Sequence, residues 1–93
     1  MSEYYFVYVL RSIKDSGFYT GFTINLEERL KLHNSGNVRS TKFRRPFEIV
    51  YFEACLNEKD ALHREKYLKT TYGKRYLKNR INHFLLDNID IIS

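Results

Sequence analysis

The chain has 93 residues, 43% of them hydrophobic and 16% aromatic, which is enough for one hydrophobic core and too apolar for an unfolded segment. Its formal net charge is +5, from 16 Lys and Arg against 11 Asp and Glu. That balance excludes an acidic, self-solvating chain and favours a polyanionic partner, nucleic acid ahead of an anionic membrane surface.

Met1-Ser2-Glu3 opens the chain with polar residues. No charged region followed by an apolar one marks a signal peptide, and no apolar stretch is long enough for a bilayer, so a cytoplasmic protein is expected. Tyr4 to Leu10 is aromatic and β-branched, the composition of a strand buried on both faces. Lys14-Asp15-Ser16-Gly17 is a turn cluster, and Phe18 to Phe22 resumes the strand pattern, giving a β-hairpin. With a four-residue loop Ile13 faces Phe18, and Tyr8 and Tyr19 then share one face; a one-residue change of register puts them on opposite faces. Asn25 caps a helix from about Leu26 to Ser35, with Glu28 as reciprocal partner in a capping box and Gly36 as the left-handed exit.

From Arg39 to Pro46 the chain is a basic loop. Arg39, Lys42, Arg44 and Arg45 with the hydroxyls of Ser40 and Thr41 could hold phosphates, or simply form a solvated loop. Phe47 to Ala54 reads as a third strand, with Phe47, Ile49 and Tyr51 on one face and Val50, Phe52 and Ala54 on the other. Cys55, the single cysteine, excludes an intramolecular disulfide and a cysteine-based zinc site, and in its apolar run it reads as a buried inert thiol. Asn57 caps a second helix reaching about Thr70, Tyr72-Gly73 breaks it, and Lys74 to Arg80 forms a further short basic helix. The expected fold is α+β, a small three-stranded antiparallel sheet flanked by helices, in the order β-β-α-β-α plus a C-terminal helical element. Residues 1–80 would form the domain, and residues 81–93 an apolar extension packing on or near it.

Polar residues on faces that should be buried carry the functional signal. Leu26, Arg29, Leu30 and His33 occupy one stripe of the first helix; Ala61, Leu62, Glu65, Leu68 and Tyr72 form that of the second. Burying an unpaired charge is costly, so Arg29 and Glu65 need partners or a cleft open to water. One solution is a structural Arg29–Glu65 salt bridge. The other is a polar site formed by these groups, His33 and the phenols of Tyr8 and Tyr19.

These residues resemble the GIY-YIG nuclease superfamily, closest to its small stand-alone members. Its first motif corresponds to Phe6-Val7-Tyr8 and its second to Tyr19-Thr20-Gly21. Arg39-Ser40-Thr41-Lys42, Arg45-Pro46-Phe47 and the run from Ala61 to Lys69 are also similar, so the likeness spans residues 4 to 80. Phe6 stands where the first tripeptide has glycine, and Thr20 replaces an aliphatic residue of the second; neither change removes a functional hydroxyl.

The resemblance implies a metal-dependent endonuclease acting on nucleic acid, DNA ahead of RNA, as a monomer or weak homodimer. Glu65 would hold one Mg²⁺ or Mn²⁺, and Arg29 would grip the phosphate. Tyr8 would accept a proton from the attacking water or orient it, His33 would relay that proton, and Tyr19 would bond the phosphate or the water. A free phenol ionises only near pH 10, so Tyr8 is a poor base unless cations lower that value. A late asparagine contributes to the site in some members, here Asn79 or Asn82. Arg39, Thr41, Lys42, Arg44, Arg45 and Lys69 would contact the nucleic acid. The alternatives are a non-catalytic nucleic-acid-binding module on the same fold and a structural or partner-binding domain.

Overall fold

The structure, a computed structural model, describes residues 3–88. The aromatic and β-branched run near the N-terminus forms β1 (Tyr5–Ser12), the middle strand of a three-stranded antiparallel sheet, flanked by β2 (Phe18–Thr23) and β3 (Phe47–Cys55) in the order β2-β1-β3. The central position buries both faces of β1 at once: Val7, Tyr8, Val9 and Leu10 are each at most 1% exposed. Arg11, not Ile13, faces Phe18. Ser12 ends the strand early because its hydroxyl accepts the amides of Lys14 and Asp15, both at 3.1 Å, and so folds the turn. A shift of this size keeps the parity, so Tyr8 and Tyr19 do share a face.

A bulge changes the expected alternation of β3. Val9 pairs with Tyr51 but Leu10 pairs with Ile49, leaving Val50 as the extra residue. Phe47 and Ile49 therefore pack with Tyr8 and Leu10, whereas Tyr51 joins Val50 and Cys55 on the opposite face. Cys55 is half-buried.

Helix α1 (Leu26–Asn34) covers the Tyr8 face with Leu26 and Leu30. Asn25 Oδ1 accepts the Glu28 amide at 3.0 Å, as the capping pattern predicts. The reciprocal half is filled by Thr23, not Glu28: Thr23 Oγ1 accepts the Asn25 amide at 3.0 Å. Gly36 leaves the helix at φ +84. Asn34 then clamps α1 to β3, accepting the Phe47 amide at 2.7 Å and donating to the Phe47 carbonyl at 3.1 Å.

The opposite face is covered by α2 (Glu58–Leu68) and α3 (Thr71–Arg80), which bury Ala61, Leu68 and Leu77 against Val7 and Val9. Helix α2 stops at Leu68, and the break lies at Lys69-Thr70 instead of Tyr72-Gly73. Thr70 caps α3 by accepting the Gly73 amide at 3.1 Å. Gly73 sits inside α3 because a Cβ there would strike the backbone of Tyr67 and Leu68; its smallness serves close helix packing, not termination. Leu62 and Tyr72, 39% and 69% exposed, consequently fall outside the buried stripe assigned to them from spacing.

The rotation of α2 is held by Arg64, whose fork donates to Glu53 at 2.8 and 2.9 Å while lying over the rings of Tyr67 and Tyr76. After α3 come Ile81, which is buried, and the short helix α4 (Asn82–Asp87), whose Phe84 ring meets the Arg11 guanidinium. Ile89, Ile91 and Ile92 of the expected apolar extension lie outside the described residues. Among the described residues no helix is long and apolar enough to cross a membrane.

Candidate active site

Tyr8 stands opposite Gly21 across the hairpin, and its phenol occupies the space into which a Cβ at Gly21 would project. With that space open, the hydroxyl reaches α1. It lies 2.9 Å from His33 Nε2 and accepts a hydrogen bond from Arg29 Nε at 3.3 Å. On the far side of the imidazole, His33 Nδ1 lies 2.7 Å from Thr41 Oγ1. The Tyr19 and Phe47 rings both stand edge-on to His33, with centroids 5.0 and 6.0 Å from it.

This packing determines the protonation states. Burial of His33, helped by the Arg29 cation, lowers its pKa to about 4, so the imidazole is neutral at pH 7. Burial raises the Tyr8 pKa, and the hydrogen bond and charge of Arg29 only partly offset it; the charges of Tyr19 and Glu65 raise it further. Arg29 alone therefore does not turn Tyr8 into a phenolate. A nitrogen of a neutral imidazole is nonetheless directly beside it.

Glu65 arrives from the other side of the sheet, on α2, which packs against β1 and β2. Its carboxylate is near enough to Tyr8 to act on that phenol through charge. The Glu65 side chain is 19% exposed, and its partner is Lys69 at 3.1 Å, one helical turn on. Arg29 and Glu65 do not pair with each other, so the purely structural salt bridge is not formed.

The remaining sequence candidates divide sharply. Asn79 is exposed on α3 beside Thr71, Lys74, Arg75 and Lys78, and no hydrogen bond joins it to Tyr8, Tyr19, Arg29, His33 or Glu65. Asn82, on α4, is exposed too. Thr41 was expected to face phosphate, but it is fully buried and its hydroxyl is engaged by His33. Arg44 commits its fork to Asp15 at 2.8 and 3.1 Å, which holds the Asp15 carboxyl well below the usual carboxylate range. Arg39, Lys42 and Arg45 remain exposed.

Spacing did not reveal a groove of about 800 Å³ running from Tyr19 and Lys69 along β2 and α3. Its cations are Arg11, Lys69, Lys74 and Lys78, and among the described residues no carboxylate lines it. Lys74 and Lys78, one turn apart on a helix, were the available signal. Gly21 was visible only as a letter of the second tripeptide, because its purpose depends on the strand register.

The GIY-YIG catalytic domain matches residues 4–84, and the chain belongs to that family. Its relatives include the UPF0213 protein CPE1444 of Clostridium perfringens (strain 13 / Type A), 46% identical over 65 residues, or 69% of each chain. The UPF0213 protein SH2523 of Staphylococcus haemolyticus (strain JCSC1435) is 39% identical over 79 residues, covering 84% of this chain and 94% of that protein. The solution NMR structure of the UPF0213 protein BH0048 from Bacillus halodurans matches with a TM-score of 0.51 and 32% identity, over 82% of this chain and 83% of that one.

Proposed function

We propose that this protein is a metal-dependent endonuclease that hydrolyses phosphodiester bonds in nucleic acid, DNA in preference to RNA, with low sequence specificity, acting as a monomer or weak homodimer. One observation carries the reading: the Tyr8 hydroxyl is held between the Arg29 guanidinium and a neutral His33 nitrogen. A merely structural tyrosine needs neither neighbour.

In the proposed reaction Tyr8 takes a proton from the attacking water as its own proton passes to His33 Nε2. The new oxygen–phosphorus bond forms while the bond to the 3′ oxygen breaks, and that oxygen leaves with the electron pair and takes a proton from solvent water. Arg29 offsets charge on the nonbridging oxygens, and Tyr19, beside His33, orients the water or the phosphate. Glu65 is the residue that would hold the cation. Among the described residues no group of three or more His, Cys, Asp or Glu is placed to cage a metal. A single carboxylate suits Mg²⁺ or Mn²⁺, which keep most of their coordination for water and substrate oxygens. When bound, such an ion supplies positive charge to the departing oxygen. Lys69, exposed and on a flexible stem, is the group that must release Glu65.

The test is incubation of pure protein with single- and double-stranded DNA and RNA in Mg²⁺, in Mn²⁺ and in chelator, beside Glu65→Ala and Tyr8→Phe. Metal-dependent cleavage abolished by Glu65→Ala and lowered about 100-fold or more by Tyr8→Phe is expected. Salt-sensitive binding without cleavage would replace this reading with a non-catalytic binding module.

A further inference from the structure

We infer that Thr41 is a positioning residue that fixes His33 as its Nδ1–H tautomer and so keeps Nε2 open to the Tyr8 proton. The inference follows from assigning a direction to every hydrogen bond in the chain from Arg29 to Val38. Arg29 Nε can only donate, so at 3.3 Å the Tyr8 oxygen accepts. The Val38 carbonyl can only accept, so at 3.4 Å the Thr41 hydroxyl donates to it. Between these fixed ends, one arrangement gives each hydrogen an acceptor. Tyr8 O–H donates to His33 Nε2, and His33 Nδ1–H donates to Thr41 Oγ1.

The opposite tautomer fails on counting. Nε2–H would then donate to a Tyr8 oxygen that already accepts from Arg29. The phenol's own hydrogen would be left with no acceptor among the described residues, at a side chain only 1% exposed. Thr41 would have to turn its hydrogen from Val38 towards Nδ1. A buried donor without a partner is strongly disfavoured, whereas the first arrangement leaves none. Free histidine prefers its hydrogen on Nε2, so the protein must impose the reverse: the Tyr8 hydroxyl needs Nε2 as its acceptor, and the fully buried Thr41 hydroxyl supplies the acceptor that the hydrogen on Nδ1 requires.

Imposing the tautomer gives Thr41 a role in a reaction that it does not touch. If Nε2 carries a hydrogen, it cannot accept another, and Tyr8 has nowhere to send its proton. Thr41→Val keeps the side-chain shape and removes the hydroxyl; Thr41→Ser keeps the hydroxyl and removes a methyl group. The ring nitrogens of His33 are read by ¹⁵N NMR in metal-free protein, where no cleavage is needed. Wild type and Thr41→Ser should show a protonated Nδ1 and an unprotonated Nε2, and Thr41→Val should move towards Nε2–H. The kinetic arm rests on the nuclease reading: kcat should fall about 10-fold or more in Thr41→Val with little change in KM, and Thr41→Ser should recover it. Nε2–H in the wild type, or unchanged nitrogens in Thr41→Val, would overturn the inference. Absence of cleavage by any form would overturn the nuclease reading, while the spectra would still decide the tautomer.

Discussion

Gly21 and Tyr8 share one small volume, and that makes a glycine part of the chemistry. In Gly21→Ala the added methyl meets the phenol, so Tyr8 must leave its place between Arg29 and His33. We expect a stability loss of about 1–3 kcal/mol and a fall in cleavage comparable to that of Tyr8→Phe, measured by thermal unfolding and single-turnover kinetics. Wild-type rates in Gly21→Ala would contradict the close packing. His33 leads to a second expectation. Its folded pKa of about 4 lies below the ordinary value of about 6.5. Between those values the unfolded chain binds a proton that the native chain refuses, so stability falls as pH drops. From pH 7.5 to 5.5 the loss should be about 1 kcal/mol in urea titrations, and His33→Gln should remove that slope. The polar residues themselves were legible in the sequence, because an arginine, a histidine and a glutamate stood on apolar stripes. Their partners were not: Thr41 looked like a phosphate ligand until the loop folded its hydroxyl onto His33.

At the scale of elements, the caps were the most readable feature. Asn25 and Asn57 accept amides in the first turn of α1 and α2 as their positions suggested. The α2–α3 break and the β3 bulge were misread because both are tertiary effects: Gly73 admits a neighbouring backbone, and Val50 is the unpaired extra residue opposite the Val9–Leu10 step of β1. The same kind of long-range contact positions Glu65. Arg64, its neighbour in the chain, is tied to Glu53, and so fixes which side of α2 faces the β1–β2 hairpin. Burial opposes ionisation of Glu53, yet the hydrogen bonds from Arg64 and Tyr51 prevail and hold its pKa down. Glu53→Gln should cost about 2 kcal/mol and lower cleavage without altering any group of the site. A double-mutant cycle with Arg64→Met measures the coupling, and additive effects would contradict it. Lys69 poses the opposite case, since it competes with a cation for Glu65. Lys69→Met should tighten Mn²⁺ binding about 3-fold by calorimetry; weaker binding would mean that Glu65 is not the ligand.

Over the whole molecule, the net charge of +5 pointed to a polyanion but not to the cations that would meet it. The structure separates them by what they already hold. Arg44 is neutralised by Asp15 and lies over Phe47. Lys74 and Lys78, by contrast, make no ion pair among the described residues, and they line the groove that begins at Tyr19, to which none of those residues contributes a carboxylate. Each phosphate contact releases counterions and steepens the fall of affinity with salt, by about 0.7 to 0.9 in logarithmic slope. Replacing Lys74 and Lys78 together with serine should therefore flatten the slope by about 1.5 if both meet phosphate. Arg44→Gln should leave the slope unchanged and instead lower the melting temperature, because it removes an ion pair within the protein. Fluorescence anisotropy of a labelled oligonucleotide in chelator, titrated across KCl concentrations, separates binding from cleavage. If Arg44→Gln flattened the slope as much as the lysine pair, charge would act through the basic loop, and the groove beside α3 would not be the path of the strand.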